Sequence, residues 1–256
     1  MQIQKSNTTR FSDRVADYVR YRPTYPVEMI DRLEKEVGLN PQFVIADIGS
    51  GTGFSSQRFI EADAIVYGVE PSKEMRQASE VFFQGAKNFK ALEGTAEQTN
   101  LATQSIDLIF CGQAYHWFDF EKAQVEFNRI LKPTGVIVLA WNERSRLDPL
   151  QQEYEQLMRD LIPEYSQVTH RNIDLEDIRA FLAPRIMQTE MLYNQQVFDL
   201  EELKGRLKSS SYAPKEGDAN YEQVMEAIAT LFAKYQEDGK VIFRYDTLLY
   251  IGKGAL

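Results

Sequence analysis

Phe43 to Gly53, FVIADIGSGTG, is the stretch whose reading decides the fold. Phe43, Val44, Ile45 and Ala46 are apolar or small without alternation, the pattern of a parallel strand covered on both faces. Asp47 is the last polar residue before the turn. Gly49, Gly51 and Gly53 then let the backbone bend sharply and approach a ligand closely. Phe54 to Ala62 reads as a helix, so its first N–H groups would point at whatever lies over the turn. Strand, glycine turn and helix in this order predict a nucleotide-cofactor site.

Downstream, strands and helices alternate. Ala64 to Val69 reads as a second strand, ending at Glu70-Pro71. Lys73 to Phe83 follows as a helix with Ser72 as its N-cap and Glu74 in its first turn. Asn88 to Leu92 is a weaker strand before the polar loop Glu93 to Gln104. Ile106 to Cys111 is a buried strand, Glu121 to Leu131 a helix stopped by Pro133, and Val136 to Trp141 a fifth strand. Repeated βα units of this length predict an α/β fold with a doubly wound, mostly parallel sheet. Upstream, Phe11 to Val19 reads as a short helix, and Pro23 and Pro26 impose an extended link. A second helix follows, with Val27, Ile30, Leu33 and Val37 as its apolar stripe and Gly38 as its stop.

The second half reads differently. Helices are expected at Leu150 to Leu161, Asp174 to Leu182, Leu200 to Leu207 and Tyr221 to Tyr235, with strands at Met187 to Phe198 and Val241 to Ile251. No repeat or linker divides the chain, so the expectation is one domain over 1–256. Within it, helices in 1–40 close the cofactor site, 41–142 form the cofactor-binding core, 143–240 supply a helical lid with strand six, and 241–256 carry the last strand.

Composition narrows the function. The 256 residues carry a formal net charge of -9, which argues against a nucleic-acid partner, since phosphate binding needs concentrated Lys and Arg. One cysteine permits no intrachain disulfide and fits a reducing compartment. No stretch approaches the ~20 apolar residues of a membrane span, and MQIQKSNTTRFSDR lacks an apolar leader. A cytoplasmic protein without a membrane partner is the expectation. No Cys/His spacing suggests a metal.

The glycines do not fit the NAD fingerprint, because Phe54 stands where G-x-G-x-x-G needs its third glycine. Glu70 lies about twenty residues past the turn, where such folds place a ribose acceptor. Asp47 beside the turn disfavours a pyrophosphate and suits an ammonium group. Together these features point to a ligand with ribose and amino-acid parts and no phosphate.

At this point the chain resembles the class I S-adenosylmethionine-dependent methyltransferases. ADIGSGTG looks like their first motif and GVEPS like their acidic second-strand motif. EGTAEQTNLATQSIDLIFCGQAYHWFD and YVRYRPTYP are similar to segments of their small-molecule branch, the trans-aconitate-type or methyltransferase type 11-like group. The resemblance implies a Rossmann-like, seven-stranded sheet with its last strand antiparallel. It implies S-adenosylmethionine as cofactor, S-adenosylhomocysteine as product, and a small-molecule methyl acceptor. It assigns Gly49 and Gly51 to close backbone contact with the methionine part, Asp47 to its polar network, and Ser50 and Gly53 to the cofactor-binding set. Glu70 would hold the ribose, with Pro71, Ser72 and Met75 beside the adenine. Ala96 and Glu97 would read the adenine edge. Gln113 would touch the methionine end, His116 and Trp117 would border the transferring methyl, and Tyr18, Arg22 and Tyr25 would close the site, with Arg22 near the methionine carboxylate.

Other readings of the same residues stand beside these. Thr95 to Glu97 also reads as a turn, His116 and Trp117 as packing, and Tyr18 and Arg22 as a helix end on the sheet. Cys111 reads as a small core residue, and His170 has no sequence partner. Arg144 and Arg146 read as a solvated loop, with contact to an acidic acceptor as the alternative. Tyr154, Tyr212 and Tyr221 line an acceptor pocket or fill a core. The function expected is in-line methyl transfer to a small O-, N- or C-acceptor, including a carboxylate, with His116 as the base where one is needed. The alternatives are a cofactor-binding protein without turnover and a non-methylating use of the cofactor.

Overall fold

A computed structural model describes residues 20–167, 174–210 and 212–254. Tyr18, the helix expected at Phe11 to Val19, and His170 lie outside the described residues. In chain order the elements are α1 (Glu28–Val37), β1 (Val44–Ile48), α2 (Phe54–Glu61), β2 (Ile65–Val69), α3 (Lys73–Phe82), β3 (Phe89–Leu92) and β4 (Ile106–Gly112). A 3-10 turn (Tyr115–Trp117), α4 (Phe120–Ile130), β5 (Leu131–Arg144) and α5 (Pro149–Leu161) follow. The chain continues with α6 (Leu175–Leu182), β6 (Ile186–Phe198), α7 (Leu200–Lys208), α8 (Tyr221–Tyr235) and β7 (Val241–Lys253). The seven strands form one mixed sheet in the order β3-β2-β1-β4-β5-β7-β6, with the last strand antiparallel. β1 lies parallel to both β2 and β4, with Asp47 level with Gly68 on one side and Phe110 on the other. This is the α/β sheet expected. One boundary moves: β5 begins at Leu131, directly after α4, rather than at Val136.

The chain divides into two compact units. The first comprises the described residues of 24–142, 174–192 and 247–254. The two-sided burial predicted for its strands is visible residue by residue. Ala46 and Ile48 of β1, Cys111 of β4 and Ile137, Leu139 and Trp141 of β5 enter one core with Phe127 and Ile130 of α4. Ile45, Phe110, Val138 and Ala140, one position along, enter another with Phe59 of α2 and Met29 and Leu33 of α1. Side chains alternate across a strand, so a run apolar at every position feeds both faces. Local signals hold the helices in place. Gly38 at φ +73° closes α1, its N–H reaching the carbonyls of Glu34 and Leu33, and the Ser72 hydroxyl accepts from Met75 N–H to start α3.

The second unit comprises the described residues of 20–23, 143–167, 193–210 and 212–246. Its core joins Leu150, Tyr154 and Met158 of α5 to Leu203 and Leu207 of α7, Val224 and Ile228 of α8, and Phe243 and Tyr245 of β7. Tyr154 is 1% exposed and belongs to this core. Arg144 corrects the expectation of a solvated loop, since its side chain is only 14% exposed and pairs with Glu155. Its hydrogen-bond partners Glu155 and Tyr165 come from later segments, so no local pattern marks it as buried. Among the described residues no helix is long and apolar enough to cross a membrane.

Candidate cofactor site

The site lies in the first unit, at the C-terminal ends of β1, β2 and β4. β1 stops at Ile48, and the next three glycines all take positive φ: +70° at Gly49, +56° at Gly51 and +98° at Gly53. L side chains pay strain there. The three are nevertheless unlike one another. A Cβ on Gly49 would stand 2.7 Å from Ala114 Cβ, and one on Gly53 would stand 2.3 Å from the Phe83 ring, so both glycines are needed for protein packing. Gly51 faces open space. It is the glycine free to meet a ligand.

The turn is tied to the end of β2. Gly49 and Ser50 N–H groups donate to the Val69 carbonyl at 2.8 and 3.2 Å. The next residue, Glu70, is 9% exposed. Its Oε2 accepts from Gly51 N–H at 3.0 Å and its Oε1 from Ser72 N–H at 2.9 Å. One carboxylate thereby fixes the glycine turn to the start of α3. Burial raises its pKa, and the two N–H donors work against that rise. Each oxygen keeps a second lone pair. Met75 is buried beside this segment and Pro71 is exposed.

Asp47 is fully buried. Its Oδ2 accepts from the hydroxyls of Ser55 and Ser56, at 2.7 and 2.6 Å, on the first turn of α2. Among the described residues its Oδ1 is buried without a hydrogen-bond partner. Burial pushes the carboxyl up to about 6, and the two serines oppose it. The Thr52 hydroxyl, in the glycine turn, is likewise buried without a hydrogen-bond partner among the described residues.

On the β4 side, Gln113 is a non-glycine residue at φ +57°, held by its N–H on the Ala140 carbonyl and its side-chain amide on the Asn142 carbonyl. Such conformations gather at functional sites. Tyr25 packs edge-on against Phe110, and its hydroxyl lies where a Cβ on Gly112 would be, at 2.5 Å. In the segment AYHWF the residues part company. Tyr115 is fully buried and stacks on Phe120 at 4.5 Å, whereas Trp117 is 48% exposed and His116 half-buried beside it. Ala96 is buried in the adjoining core, and Glu97 Oε1 accepts from Asp119 N–H at the head of α4. Arg22 belongs to the second unit, where it donates to the Ser209 carbonyl at 3.1 Å.

In comparison with known proteins, residues 46–139 match the family described as "Methyltransferase domain". This stretch is similar to methyltransferase domains. An uncharacterised methyltransferase of Mycobacterium tuberculosis is 36% identical over 160 residues, covering 62% of this chain and 63% of that protein. One from Schizosaccharomyces pombe is 33% identical over 149 residues, 58% of each chain. The match thus spans about three fifths of the length of these curated relatives. Among solved structures, a protein of Anaeromyxobacter dehalogenans classed provisionally as a type II methyltransferase superposes with a TM-score of 0.70 at 20% identity, over 91% of this chain and 98% of that one. The YcgJ protein of Bacillus subtilis does so with a TM-score of 0.57 at 22% identity, over 89% and 98%. At these identities the superpositions show a shared fold.

The first unit joins Gly51, Glu70 and Ser72 in one bonded network, holds Asp47 on Ser55 and Ser56, and sets Gly49 against Ala114, next to Gln113. Sequence reasoning missed the two serines that hold Asp47. Their signal was available: hydroxyls eight and nine residues after an acid, on the first turn of a helix that follows a tight turn. It also missed Phe83, whose ring explains Gly53 better than a ligand does. The orphaned Asp47 Oδ1 fits a cationic or donor group, and the open face of Gly51 fits close backbone approach. Both suit the amino-acid end of S-adenosylmethionine.

Proposed function

We propose that the chain is an S-adenosylmethionine-dependent methyltransferase acting on a small-molecule acceptor. The observation that carries this reading is the buried, unpartnered Oδ1 of Asp47 beside a glycine turn whose central glycine faces open space. A buried acid lacking a partner is costly, and an ammonium donor removes that cost. Bound there, the cofactor supplies a methyl group already activated on a sulfonium.

This chain's residues then bind and orient. Asp47 holds the ammonium of the methionine part, while Glu70 uses its remaining lone pairs on the ribose hydroxyls and keeps Gly51 N–H in place. Met75 and Ala96 give the adenine apolar surface, and Glu97, Pro71 and Ser72 border its edge. Gln113, fixed by two hydrogen bonds, stands at the methionine end with Tyr25 behind it. His116 and Trp117 border the acceptor side, with His116 taking a proton from acceptors that carry one. Ser50, Gly49 and Gly53 shape the turn. Residues 41–142 serve the cofactor, and 143–240 choose the acceptor.

Isothermal titration of the full chain with S-adenosylmethionine and S-adenosylhomocysteine should show one site for each. A tritiated methyl donor incubated with a metabolite extract should label a small, protein-free product. Failure of both ligands to bind would overturn the reading.

A further inference from the structure

The second unit holds a group of buried polar side chains that cofactor binding does not use. Arg206, on α7, is 7% exposed. Its Nε donates to the Tyr245 hydroxyl at 3.2 Å and its Nη1 to the Ser210 hydroxyl at 3.3 Å. Both partners are neutral, and among the described residues no carboxylate pairs with Arg206. Two neutral hydrogen bonds return much less than the desolvation of a guanidinium costs. The position is nonetheless firmly built. The Tyr245 hydroxyl donates onward to Gln196 Oε1 at 2.8 Å, and its ring packs on Phe243 beside Tyr154.

Arg144 of the same unit makes the contrast. It pairs with Glu155 at 2.5 Å and with the Tyr165 hydroxyl, and its guanidinium lies 5.2 Å from the Tyr154 ring centre. Its charge is matched. Tyr212, packed edge-on against Tyr165 at 4.8 Å, senses both arginines. Burial pushes its phenol up, yet Arg144 and then Arg206 outweigh burial and hold it below the ordinary value. The cluster carries surplus positive potential within a chain of net charge -9.

We infer that this cluster binds a small organic monocarboxylate, with Arg206 gripping the carboxylate and the rings of Tyr154, Tyr245 and Phe243 facing its apolar part. A guanidinium presents a planar fork that matches a carboxylate with two parallel hydrogen bonds. One unmatched cation calls for one negative charge, which disfavours a tricarboxylate or a phosphate dianion. The tyrosine rings give an organic body apolar surface, and the Tyr245 hydroxyl stays paired with Arg206 and Gln196. As a binding site this stands on the second unit alone; as the methyl acceptor's site it rests on the proposed function.

The test uses the full chain with phenylacetate and butyrate, each against its neutral amide, and with citrate. Titration should show the acids binding at least tenfold more tightly than the amides, and more tightly than citrate. Arg206→Gln should erase the acid-over-amide preference, while Arg206→Lys keeps part of it. Equal affinity for acid and amide, a preference that survives Arg206→Gln, or stronger binding of citrate would overturn the inference. S-adenosylmethionine titrated into the same samples separates the two claims. Cofactor binding without carboxylate preference sinks this inference alone, and carboxylate preference without cofactor binding sinks the methyl-transfer reading alone.

Discussion

Among the described residues, each of the two units buries an ionisable side chain with no opposite charge paired to it, and the two differ in how the surroundings tolerate it. In the first unit Asp47 takes two serine hydroxyls on one oxygen and leaves the other bare. In the second unit Arg206 takes two neutral hydroxyls and no acid. An acid can escape its burial cost by taking a proton, and the rise of Asp47 to about 6 is that escape. A guanidinium has no such exit in water's pH range. The empty protein can therefore relax one of these charges with pH and must carry the other. On the two readings proposed above, both costs end when a ligand of opposite sign arrives.

The largest expected effect follows from the Asp47 proton. Its folded value of about 6 lies above the ordinary 3.8. Between these values the folded state binds more protons than the unfolded one, so stability falls as pH rises through the window. The full difference is on the order of 3 kcal/mol. Urea unfolding of the empty protein at pH 4 and pH 8 should show this loss in the wild type relative to Asp47→Asn, whose amide has nothing to ionise. The variant isolates the Asp47 contribution from carboxylates that act the other way, such as Glu126, held down to about 2 chiefly by Arg129. An equal pH response in both proteins would mean that the Asp47 charge is matched by a group the empty site already holds.

Glu70 gives the next test, and it asks whether the units are separable in function. Glu70→Ala removes the acceptor of both Gly51 and Ser72 N–H and should weaken S-adenosylmethionine binding by roughly 30-fold, about 2 kcal/mol. The acid-over-amide preference assigned to Arg206 should not move. If both ligands weaken together, the comparison between two independent charged sites fails.

The two sites also differ in how legible they were. Asp47, Gly51 and Glu70 lie within a strand, a turn and the end of the next strand, so their relation is written in short spacings that a parallel βα unit makes spatial. The sheet was legible for the same reason: runs such as Ile106 to Cys111 can only be buried on both faces. Gly53 shows the limit even here, because the Phe83 ring that fills its face arrives from the end of α3. Trp117 and Tyr115 show it again, since two aromatics separated by a single residue in an unpatterned segment give no sign of which turns inward. Arg206 was not legible at all. Its partners and neighbours come from β6, β7, α5 and the segment after α7, and no periodicity links them. Arg144 read as a solvated loop because charge alone says surface, until Glu155 and Tyr165 are seen around it.

The smallest effect is the one that most directly weighs the second charge. Replacing a structural buried arginine normally destabilises a protein, because acids arranged around it are left unpaired. Arg206 leaves only the hydroxyls of Tyr245 and Ser210 behind. The Tyr245 hydroxyl retains Gln196 as a partner. Arg206→Met keeps much of the side chain's length and packing while removing the desolvated charge. The empty variant should therefore be more stable than the wild type by about 1 kcal/mol in urea unfolding, while losing carboxylate preference. A comparable loss of stability instead would show that the guanidinium holds α7 and β7 together in its own right, and that the resemblance between the two buried charges is one of appearance only.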